Sequence, residues 1–309
     1  MIALNKNKIK VMAENLSESS AGRSLWKDAR MRFMQNKAAT ISLFILMSIV
    51  LFSFIGPYFA VWSYEQIDWN AMGSAARVGM PSIESGHFFG TDDLGRDLYS
   101  RVIQGTQISL MVGVLGASVA VIVGTLYGAT SGYLGGKTDQ IMMRIVDTLY
   151  GIPFIILIIL LMVIFGRNLV LLFLAIGAVE WLTMARIVRS QVLNLSKQEF
   201  ILSAEAMGVS KISIIFRHLI PNAMGPVIVY ATLTVPQIML LESFLSFLGL
   251  GVQPPLSSWG LLIRDGAVSM EEYWWLLIFP SLAFSLTLFS LNFIGDGLRD
   301  AIDPRTADS

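Results

Sequence analysis

The feature that most constrains this chain is a series of apolar runs, each about as long as a membrane is thick. A transmembrane helix needs roughly 20 consecutive apolar residues, and six runs of the 309-residue chain reach that length. Hydrophobic residues make up 54% of the chain and charged residues 14%, against about 25% charged residues in a typical soluble domain. The sequence therefore predicts an all-α polytopic membrane protein with six transmembrane helices. They are expected at residues 38–62, 108–133, 141–165, 169–188, 222–248 and 273–294.

The polar segments divide the chain into an N-terminal segment, a first span, a long loop, a five-helix core and a tail. Residues 1–37 are polar and basic and lack the apolar core of a cleavable signal peptide. Within them, residues 23–37 are predicted to form an interfacial helix that contacts membrane lipid. The loop covers residues 63–107, the core residues 108–295, and the tail residues 296–309.

The distribution of positive charge predicts which side of the membrane each segment faces. Six spans place both termini on the same side. Of the 22 Lys and Arg residues, 17 fall in the termini and the segments on their side, and 5 fall in the opposite loops. Because cytoplasmic segments of membrane proteins are enriched in Lys and Arg, both termini are predicted to be cytoplasmic. The loops 63–107 and 249–272 are then expected to face outward.

A charged amphipathic segment, residues 196–226, lies between the fourth and fifth predicted spans. Ser196 and Glu199 fit a capping box, which predicts a helix that begins near residue 197. Gly208 is placed to supply the left-handed turn that ends a helix. The charge distribution puts this segment on the cytoplasmic side.

A second short helix is predicted directly after that turn. Ser210 can cap its start, and Pro221 is expected to interrupt it. The small apolar residues at the tip of the segment, flanked by cations, suit insertion into a groove of a partner protein. An ordinary amphipathic loop lying on the membrane is the alternative.

Small residues recur every four positions along the second predicted span, which places them on one helix face. Small side chains let two membrane helices approach closely, so this face is predicted to pack against another helix. A face lining a pore is the alternative. The residues are Gly116, Ala120, Gly124, Gly128 and Gly132.

Few polar residues fall within the predicted spans, where an uncompensated charge costs at least about 2.5–3.5 kcal/mol. Such residues are expected to face the interior of the bundle or a cavity, and for Glu180 a structural contact with Asn292 is an equal alternative. The candidates for lining a solute path are Glu180, Gln237, Glu242 and Asn292.

Three further local features are predicted within the spans. Asp147 is expected to pair with Arg144, three residues earlier on the same helix. Pro153 is expected to kink the third span. Pro236 is expected to break the fifth span locally, which is tolerated where backbone lines a cavity.

The sequence offers no hydrolytic machinery. A phosphate-binding loop needs the pattern G-x-x-x-x-G-K-[ST] between a strand and a helix. The nearest match, SGYLGGKT at residues 131–138, lacks the first glycine and is predicted to be a tight turn between two membrane helices. H-E-x-x-H and G-x-S-x-G motifs do not occur, and the chain has no Cys and 2 His. No catalytic or metal site is therefore predicted, and any nucleotide energy must come from another subunit.

The segment at residues 196–226 resembles the EAA loop of the membrane subunits of bacterial ABC importers, whose pattern is E-A-A-x-x-x-G followed by a hydrophobic-Pro pair. Ala204, Gly208 and Pro221 match that pattern. Leu202 replaces the glutamate and Ser203 replaces the first alanine. Glu199 or Glu205 is left as a substitute for the missing carboxylate. The resemblance implies that the following residues contact an ATPase subunit: Glu199, Leu202, Ser203, Ala204, Glu205, Ala206, Met207, Gly208, Val209 and Ser210.

Three further segments look like the peptide-importer branch of that family. They are GTDDLGRDLYSRVIQGTQISLMVG at residues 90–113, ESFLSFLGLGVQPPLSSWG at 242–260 and NFIGDGLRDAIDP at 292–304. The opening GRSLWKDARMRFMQNKAA, at 22–39, is similar to the C-type membrane subunit of oligopeptide permeases in particular. The resemblance implies the type I ABC importer permease fold and a bacterial inner-membrane location.

The resemblance also implies the partners of the chain. They are a homologous B-type permease subunit, two cytoplasmic ATPase subunits, an external peptide-binding protein and the peptide itself. ATP and Mg²⁺ would be held by the ATPase subunits, so no cofactor and no nucleic acid is expected on this chain. A dipeptide or nickel importer is the nearest alternative. An independent secondary transporter or channel is a different class, in which an internal repeat would be expected, and a membrane-embedded enzyme is a third.

Overall fold

The computed structural model describes residues 25–73 and 79–302, and within them the chain forms eleven α-helices and no extended strand. The first 24 residues and the predicted tail beyond residue 302 lie outside this part of the chain. In chain order the helices are α1 (Leu25–Gln35), α2 (Lys37–Ile55), α3 (Leu98–Leu134), α4 (Gly136–Tyr150), α5 (Phe154–Phe165), α6 (Leu169–Leu195), α7 (Glu199–Ala206), α8 (Lys211–Ile214), α9 (Ile220–Phe247), α10 (Trp259–Val268) and α11 (Trp274–Ile302).

Five stretches of helix in the described part are long and apolar enough to cross a membrane, and a bent pair makes a sixth if it counts as one span. The five are α2, α3, α6, α9 with the short helices before it, and α11. The bent pair is α4 and α5, which meet at an angle of 78°. The chain is thus an all-helical, multi-pass membrane protein, as predicted.

The third predicted span is broken rather than kinked. Helix α4 ends at Tyr150, and Pro153 is the residue that caps the start of α5. A proline cannot donate the backbone hydrogen bond of a helix interior, and its ring excludes the preceding turn. Helix α5 has 12 residues and is about 18 Å long, which alone is too short for a hydrocarbon core of about 30 Å.

Helix α3 begins ten residues before the predicted span. Asp97 caps it, since its side chain accepts a hydrogen bond from the Ser100 amide at 2.8 Å. The first turns carry polar side chains that are buried in protein: Arg101 is 2% exposed and Gln104 is 8% exposed. The Gln104 side chain accepts from the Ser257 amide at 2.9 Å. The helix therefore extends beyond the apolar run because the protein itself supplies the polar partners.

The small-residue face of α3 lies against α6, and these two helices share the most extensive helix contact in the described structure. A Cβ added at Gly128 would lie 2.3 Å from the Ala185 carbonyl oxygen. A Cβ at Gly124 would lie 2.5 Å from the Met184 Cβ atom. Such distances leave no room for a side chain, so glycine sets the separation of the two helices.

Helix α9 continues through its prolines, and the predicted break at Pro236 is wrong. Pro226 and Pro236 both lie inside the helix. The side chains of Ile238 and Met239, just beyond Pro236, are completely buried. A lost hydrogen bond is tolerated in a membrane helix when packing against neighbouring helices holds the backbone in place.

The predicted interruption at Pro221 is also absent. A π-type turn, Ile215–Leu219, joins α8 to α9, and the Ile220 amide donates to the carbonyl of Ile215, five residues back. This turn is wider than an α-turn. The widened turn accommodates Pro221, whose ring would otherwise clash with the carbonyl four residues before it. The chain therefore passes from the short helix into the fifth span without a break.

Candidate functional site

The predicted turn at Gly208 is present and closes with a complete Schellman motif. Gly208 has a φ of +78°, a conformation that side-chain-bearing residues rarely adopt. The Val209 amide donates to the Ala204 carbonyl at 3.1 Å, and the Gly208 amide donates to the Glu205 carbonyl at 2.9 Å. Ser210 then caps α8, since its hydroxyl accepts from the Ser213 amide at 3.4 Å. We call α7, this turn and α8 the coupling hairpin (residues 199–214).

The predicted capping box at the start of the hairpin is wrong. Helix α6 extends to Leu195, and Ser196 is its C-terminal cap. The Ser196 hydroxyl donates back to the Leu193 carbonyl at 3.2 Å. Helix α7 begins two residues later than predicted, at Glu199, and Gln198 before it provides no side-chain cap. The preceding helix therefore uses the serine that the pattern assigned to the following one.

The coupling hairpin has a buried face and an exposed face. Ile201 and Ile214 are completely buried, and Ala204 is 3% exposed. They pack in one hydrophobic cluster with Val188 and Val192 of α6. Burying such side chains contributes about 1.5–3 kcal/mol each. This face fixes the hairpin to the ends of the membrane helices.

The opposite face carries large apolar side chains that nothing in the described chain covers. Met207 at the tip is 77% exposed, and Leu202 is 51% exposed. Phe200, Ile212 and Phe216 are exposed as well. Contiguous exposed apolar side chains mark interaction surfaces. The exposed leucine occupies the position where the EAA pattern has its glutamate.

The two candidate carboxylates of the hairpin differ in their contacts. Glu205 accepts a hydrogen bond from the Tyr133 hydroxyl, at the end of α3, with an O–O distance of 2.8 Å. The Glu199 side chain is exposed and takes part in no hydrogen bond or ion pair with the residues that the structure describes. Glu199 is thus the carboxylate left available to a partner, while Glu205 is engaged within the chain.

Next to the hairpin, an ion pair joins the start of α4 to α6. Arg189 donates from Nε and Nη2 to the two carboxylate oxygens of Asp139, each at 2.5 Å. The Ser131 hydroxyl of α3 donates to the same carboxylate at 2.6 Å. A bidentate arginine–carboxylate pair is geometrically specific. It locks together the ends of α3, α4 and α6 beside the hairpin.

The turn between α3 and α4 is the segment that resembles a phosphate-binding loop. Gly135 and Gly136 there have φ values of +62° and +54°. Residues 131–138 run directly from one membrane helix into the next, with no strand before them. The segment is therefore a tight helix–helix turn.

Asp147 pairs with a different arginine from the one predicted. Its carboxylate accepts from Arg186 Nη2 of α6 at 2.8 Å, rather than from Arg144. The Arg186 guanidinium also lies 4.3 Å from the centre of the Tyr150 ring. Stacking on an aromatic ring orients a guanidinium. Arg186 therefore reaches the carboxylate across the helix pair.

The four residues proposed to line a solute path are not joined in one polar cluster. No hydrogen bond or ion pair in the described part of the chain connects any two of them. Glu180 is half-buried, whereas Gln237 and Asn292 are exposed. The alternative contact between Glu180 and Asn292 is absent, because the Asn292 amide donates to the Leu288 carbonyl at 2.8 Å.

Glu242 occupies a serine cluster, and the prediction that it faces a solute path does not hold in this structure. Its side chain is completely buried. Its carboxylate lies 2.7 Å from the Ser246 hydroxyl, 3.3 Å from that of Ser109 and 3.4 Å from that of Ser243. The Ser258 hydroxyl donates to that of Ser246 at 3.2 Å. The cluster supplies the hydrogen bonds that a buried polar group needs, and it joins α9 to α3 and α10.

A folded polar core in the loop before α3 was not predicted from the sequence. His87 is completely buried and stacks on Trp62, with ring centres 4.8 Å apart. Its Nδ1 atom lies 2.9 Å from Asp97, and its Nε2 atom lies 3.4 Å from Asp68. Asp97 also caps α3, so the histidine connects the loop to a membrane helix. Three residues in an irregular loop carry no periodic signal that would reveal this contact.

The pKa of His87 is raised above its ordinary value of 6.5. Burial alone would lower the pKa of the imidazole. The hydrogen bonds to Asp97 and Asp68 and the negative charge of both carboxylates outweigh that effect. Among the described residues, no group of three or more His, Asp or Glu side chains is arranged to hold a metal ion.

A buried arginine organises the same end of α3. Arg101 donates to Asp92 and, at 3.2 Å, to the Ser257 hydroxyl. Asp265 of α10 lies 3.9 Å away, and its own pKa is raised because burial disfavours the charged carboxylate. The arginine therefore connects the loop before α3 to α10.

Comparison with known proteins agrees with this architecture. The family described as binding-protein-dependent transport system inner membrane component matches residues 120–308. The family described as the N-terminal TM domain of oligopeptide transport permease C matches residues 24–76.

Individual relatives match over nearly the whole chain. The oligopeptide transport system permease protein OppC of Haemophilus influenzae is 52% identical over 97% of this chain and 96% of its own length. OppC of Escherichia coli K12 is 56% identical over 94% of this chain and 96% of its own length. The dipeptide transport system permease protein DppC of Bacillus subtilis is 43% identical over 91% of this chain and 86% of its own length.

The family matches, the identities and the multi-pass helical fold point in the same direction. Together the two family matches extend from residue 24 to residue 308, apart from residues 77–119. The chain therefore belongs to the binding-protein-dependent transport system inner membrane component family, as a multi-pass permease subunit of an ABC transporter in the inner membrane.

Proposed function

We propose that this chain is the C-type permease subunit of an ATP-driven importer that carries oligopeptides into the bacterial cytoplasm. It pairs with a homologous B-type permease subunit, and the two enclose the path of the peptide. Two cytoplasmic ATPase subunits bind ATP and Mg²⁺ and drive alternating access. An external peptide-binding protein delivers the peptide to the outer loops.

The observation that carries this proposal is the two-faced coupling hairpin. Its inner face is fixed to α6 through Ile201 and Ile214, and its outer face presents Met207 and Leu202 to the surroundings. A partner that grips the outer face can therefore move the membrane helices. Laying an apolar helix face into a groove is a common mode of protein recognition.

The missing glutamate of the EAA pattern changes the chemistry of that contact. Leu202 offers an apolar side chain where an ionic contact would be expected, so burial of apolar surface supplies most of the affinity. Glu199, exposed at the start of α7, is the carboxylate that can pair with a cation on the ATPase subunit. Glu205 is less available because it is bonded to Tyr133.

Oligopeptides are favoured over dipeptides as the cargo by the relatives. Their printed functions are oligopeptide transport at 52–56% identity and dipeptide transport at 43% identity. Tolerance of many peptide side chains is expected to reside mainly in the binding protein. Within this chain, Glu180, Gln237 and Asn292 remain the proposed path-lining residues. An importer of dipeptides is the alternative.

The proposal is tested by placing a charge on the exposed face of the hairpin in the complete transporter. Met207→Asp is expected to reduce both the copurification of ATPase subunits and peptide uptake by about tenfold or more, because an unpaired carboxylate would be buried in the contact. Met270→Asp is the matched control. Met270 is an exposed methionine (54%) in the loop after α10, so both readouts should stay at their normal level.

Two results would contradict the proposal. One is normal copurification and uptake by the Met207→Asp transporter. The other is an equal loss in both variants at equal amounts of membrane-inserted protein, since that would show no special role for the hairpin. Competition of uptake by tripeptides to pentapeptides, against dipeptides, separates the two cargo classes.

A further inference from the structure

We infer that the hydrogen bond between Tyr133 and Glu205 is a transmission joint, through which movement of the coupling hairpin reaches the longest membrane helix. This inference rests on the proposed function of the hairpin. It assigns a positioning role to two residues of the same chain, rather than another contact with the ATPase subunit.

The joint connects elements that are otherwise far apart in the chain. The two residues are separated by 72 positions, and the Tyr133 hydroxyl donates to Glu205 Oε1 at 2.8 Å. Glu205 lies in the last turn of α7, directly before the Gly208 turn. Tyr133 lies in the last turn of α3, a helix of 37 residues. A displacement of the hairpin tip is therefore applied to the very end of α3.

The end of α3 cannot move independently of α6. A Cβ at Gly132 would lie 2.9 Å from the Arg189 carbonyl oxygen, which shows how closely the two backbones approach. Ser131 of α3 and Arg189 of α6 share the carboxylate of Asp139. Because packed helices with fixed polar contacts shift together rather than deform, movement of Tyr133 carries both helices.

The joint differs from the apolar contacts that hold the hairpin in place. Ile201 and Ala204 on the inner face of α7 are buried, so they contribute folding stability. Glu205 is exposed and Tyr133 only half-buried, so their hydrogen bond contributes little to stability by comparison. An exposed, directional bond between two surface side chains can form in one state of a transporter and break in the other, which is what a coupling element requires.

The geometry also explains why Glu205 does not simply replace the missing glutamate of the EAA pattern. Its carboxylate points back to the membrane helices instead of away from them. Glu199 and Leu202 lie on the exposed part of α7. Contact with the ATPase subunit and contact with α3 are therefore divided between different side chains.

The test uses the complete transporter reconstituted in lipid and measures peptide transported per ATP hydrolysed. Tyr133→Phe removes the hydroxyl and keeps the ring. It should lower this ratio by about fivefold, since one lost hydrogen bond changes an equilibrium by about that factor. ATPase subunits should copurify in normal amounts, which separates failure of this inference from failure of the proposed function.

A double variant and a conservative variant distinguish a shared bond from general damage. Glu205→Ala should lower the ratio as much as Tyr133→Phe does, and the double variant should lower it no further. Glu205→Gln keeps a carbonyl acceptor and should lose clearly less than Glu205→Ala. Tyr127→Phe is the matched control, because Tyr127 lies on α3 and donates to the Met142 carbonyl at 2.9 Å instead of to the hairpin.

The inference is overturned if the Tyr133→Phe transporter keeps the normal ratio, or if the losses in the two single variants add in the double variant. It is also overturned if Tyr127→Phe lowers the ratio as much as Tyr133→Phe does. If Tyr133→Phe reduces copurification of the ATPase subunits, the tyrosine acts in assembly and the transmission role is again wrong.

Discussion

The amide nitrogen of Val209 lies 3.1 Å from the carbonyl oxygen of Ala204. This bond closes the coupling hairpin, and it forms only because Gly208 between them takes a left-handed conformation with a φ of +78°. The direction in which α8 leaves α7 therefore depends on one residue. No atom lies within 4 Å of the place where a Cβ would stand at Gly208, so the requirement is one of backbone conformation alone.

Replacement of Gly208 by valine should misplace α8 and reduce transport. A side chain in the left-handed region costs about 1–2 kcal/mol, and more for a β-branched residue. Peptide uptake should fall several-fold while membrane insertion, measured by the amount of membrane protein, stays normal. Gly208→Asn is the control, because asparagine tolerates this conformation. Normal uptake by the valine variant would show that the turn is dispensable.

A large side chain at Gly128 should destabilise the helix core. Even a Cβ there would lie 2.3 Å from the Ala185 carbonyl oxygen, and overpacking typically costs about 1–3 kcal/mol. Gly128→Leu should therefore lower the melting temperature of the purified protein in detergent. Val114→Leu, on an exposed position of the same helix (52%), should leave that temperature nearly unchanged. Equal melting temperatures in both variants would contradict the close packing of α3 and α6.

The loop before α3 should lose stability as the pH rises. His87 has a raised pKa in the folded chain because two carboxylates hold its charged form. Its contribution to stability is fully present below its ordinary pKa of 6.5 and is lost as the pH rises through the higher pKa of the folded state. The melting temperature of the wild-type protein should fall across that window.

His87→Gln isolates this effect, since it removes the titrating group. The difference in melting temperature between wild type and variant should be largest at acid pH and shrink above the raised pKa. The other histidine, His218, lies in the π-type turn after α8 and stays in both proteins. A difference that is constant with pH, or that grows as the pH rises, would contradict the assigned contacts.

Removal of the Glu242 carboxyl should strand the hydroxyls around it. In Glu242→Leu, Ser246 and Ser109 lose the partner that lies 2.7 Å and 3.3 Å away. Each unpaired buried polar group costs about 1–3 kcal/mol, so unfolding by heat should occur at a clearly lower temperature. Glu242→Gln can still bond to the serines and should fall less. An unchanged melting temperature for the leucine variant would show that the cluster contributes no stability.

Local features of the sequence predicted the structure well where one residue decides the outcome. Gly208 and Ser210 are such cases, because a left-handed turn and a helix cap depend on the residues beside them. The apolar runs likewise predicted the spans, since their length is set by the membrane. The capping box at Ser196 failed because α6 runs on to use that serine as its own cap.

Contacts between distant segments were beyond what the sequence could show. Pro236 interrupts a helix in isolation, but packing on both sides keeps α9 continuous. Glu242 was expected to face a path, and instead serines from three helices surround it. The contacts of His87 depend on how an irregular loop folds. That Glu205 meets Tyr133 follows only once α3 and α7 have been placed.

The most direct test of the coupling role is site-specific crosslinking of the hairpin tip in the assembled transporter. The chain has no Cys, so a single introduced cysteine is the only reactive thiol on this subunit. Met207→Cys, with a cysteine-directed photocrosslinker attached, should capture an ATPase subunit, whereas Met270→Cys should not. Capture at Met207 alone is the predicted result. Failure to capture an ATPase subunit from Met207, in a transporter that still imports peptide, would contradict the account.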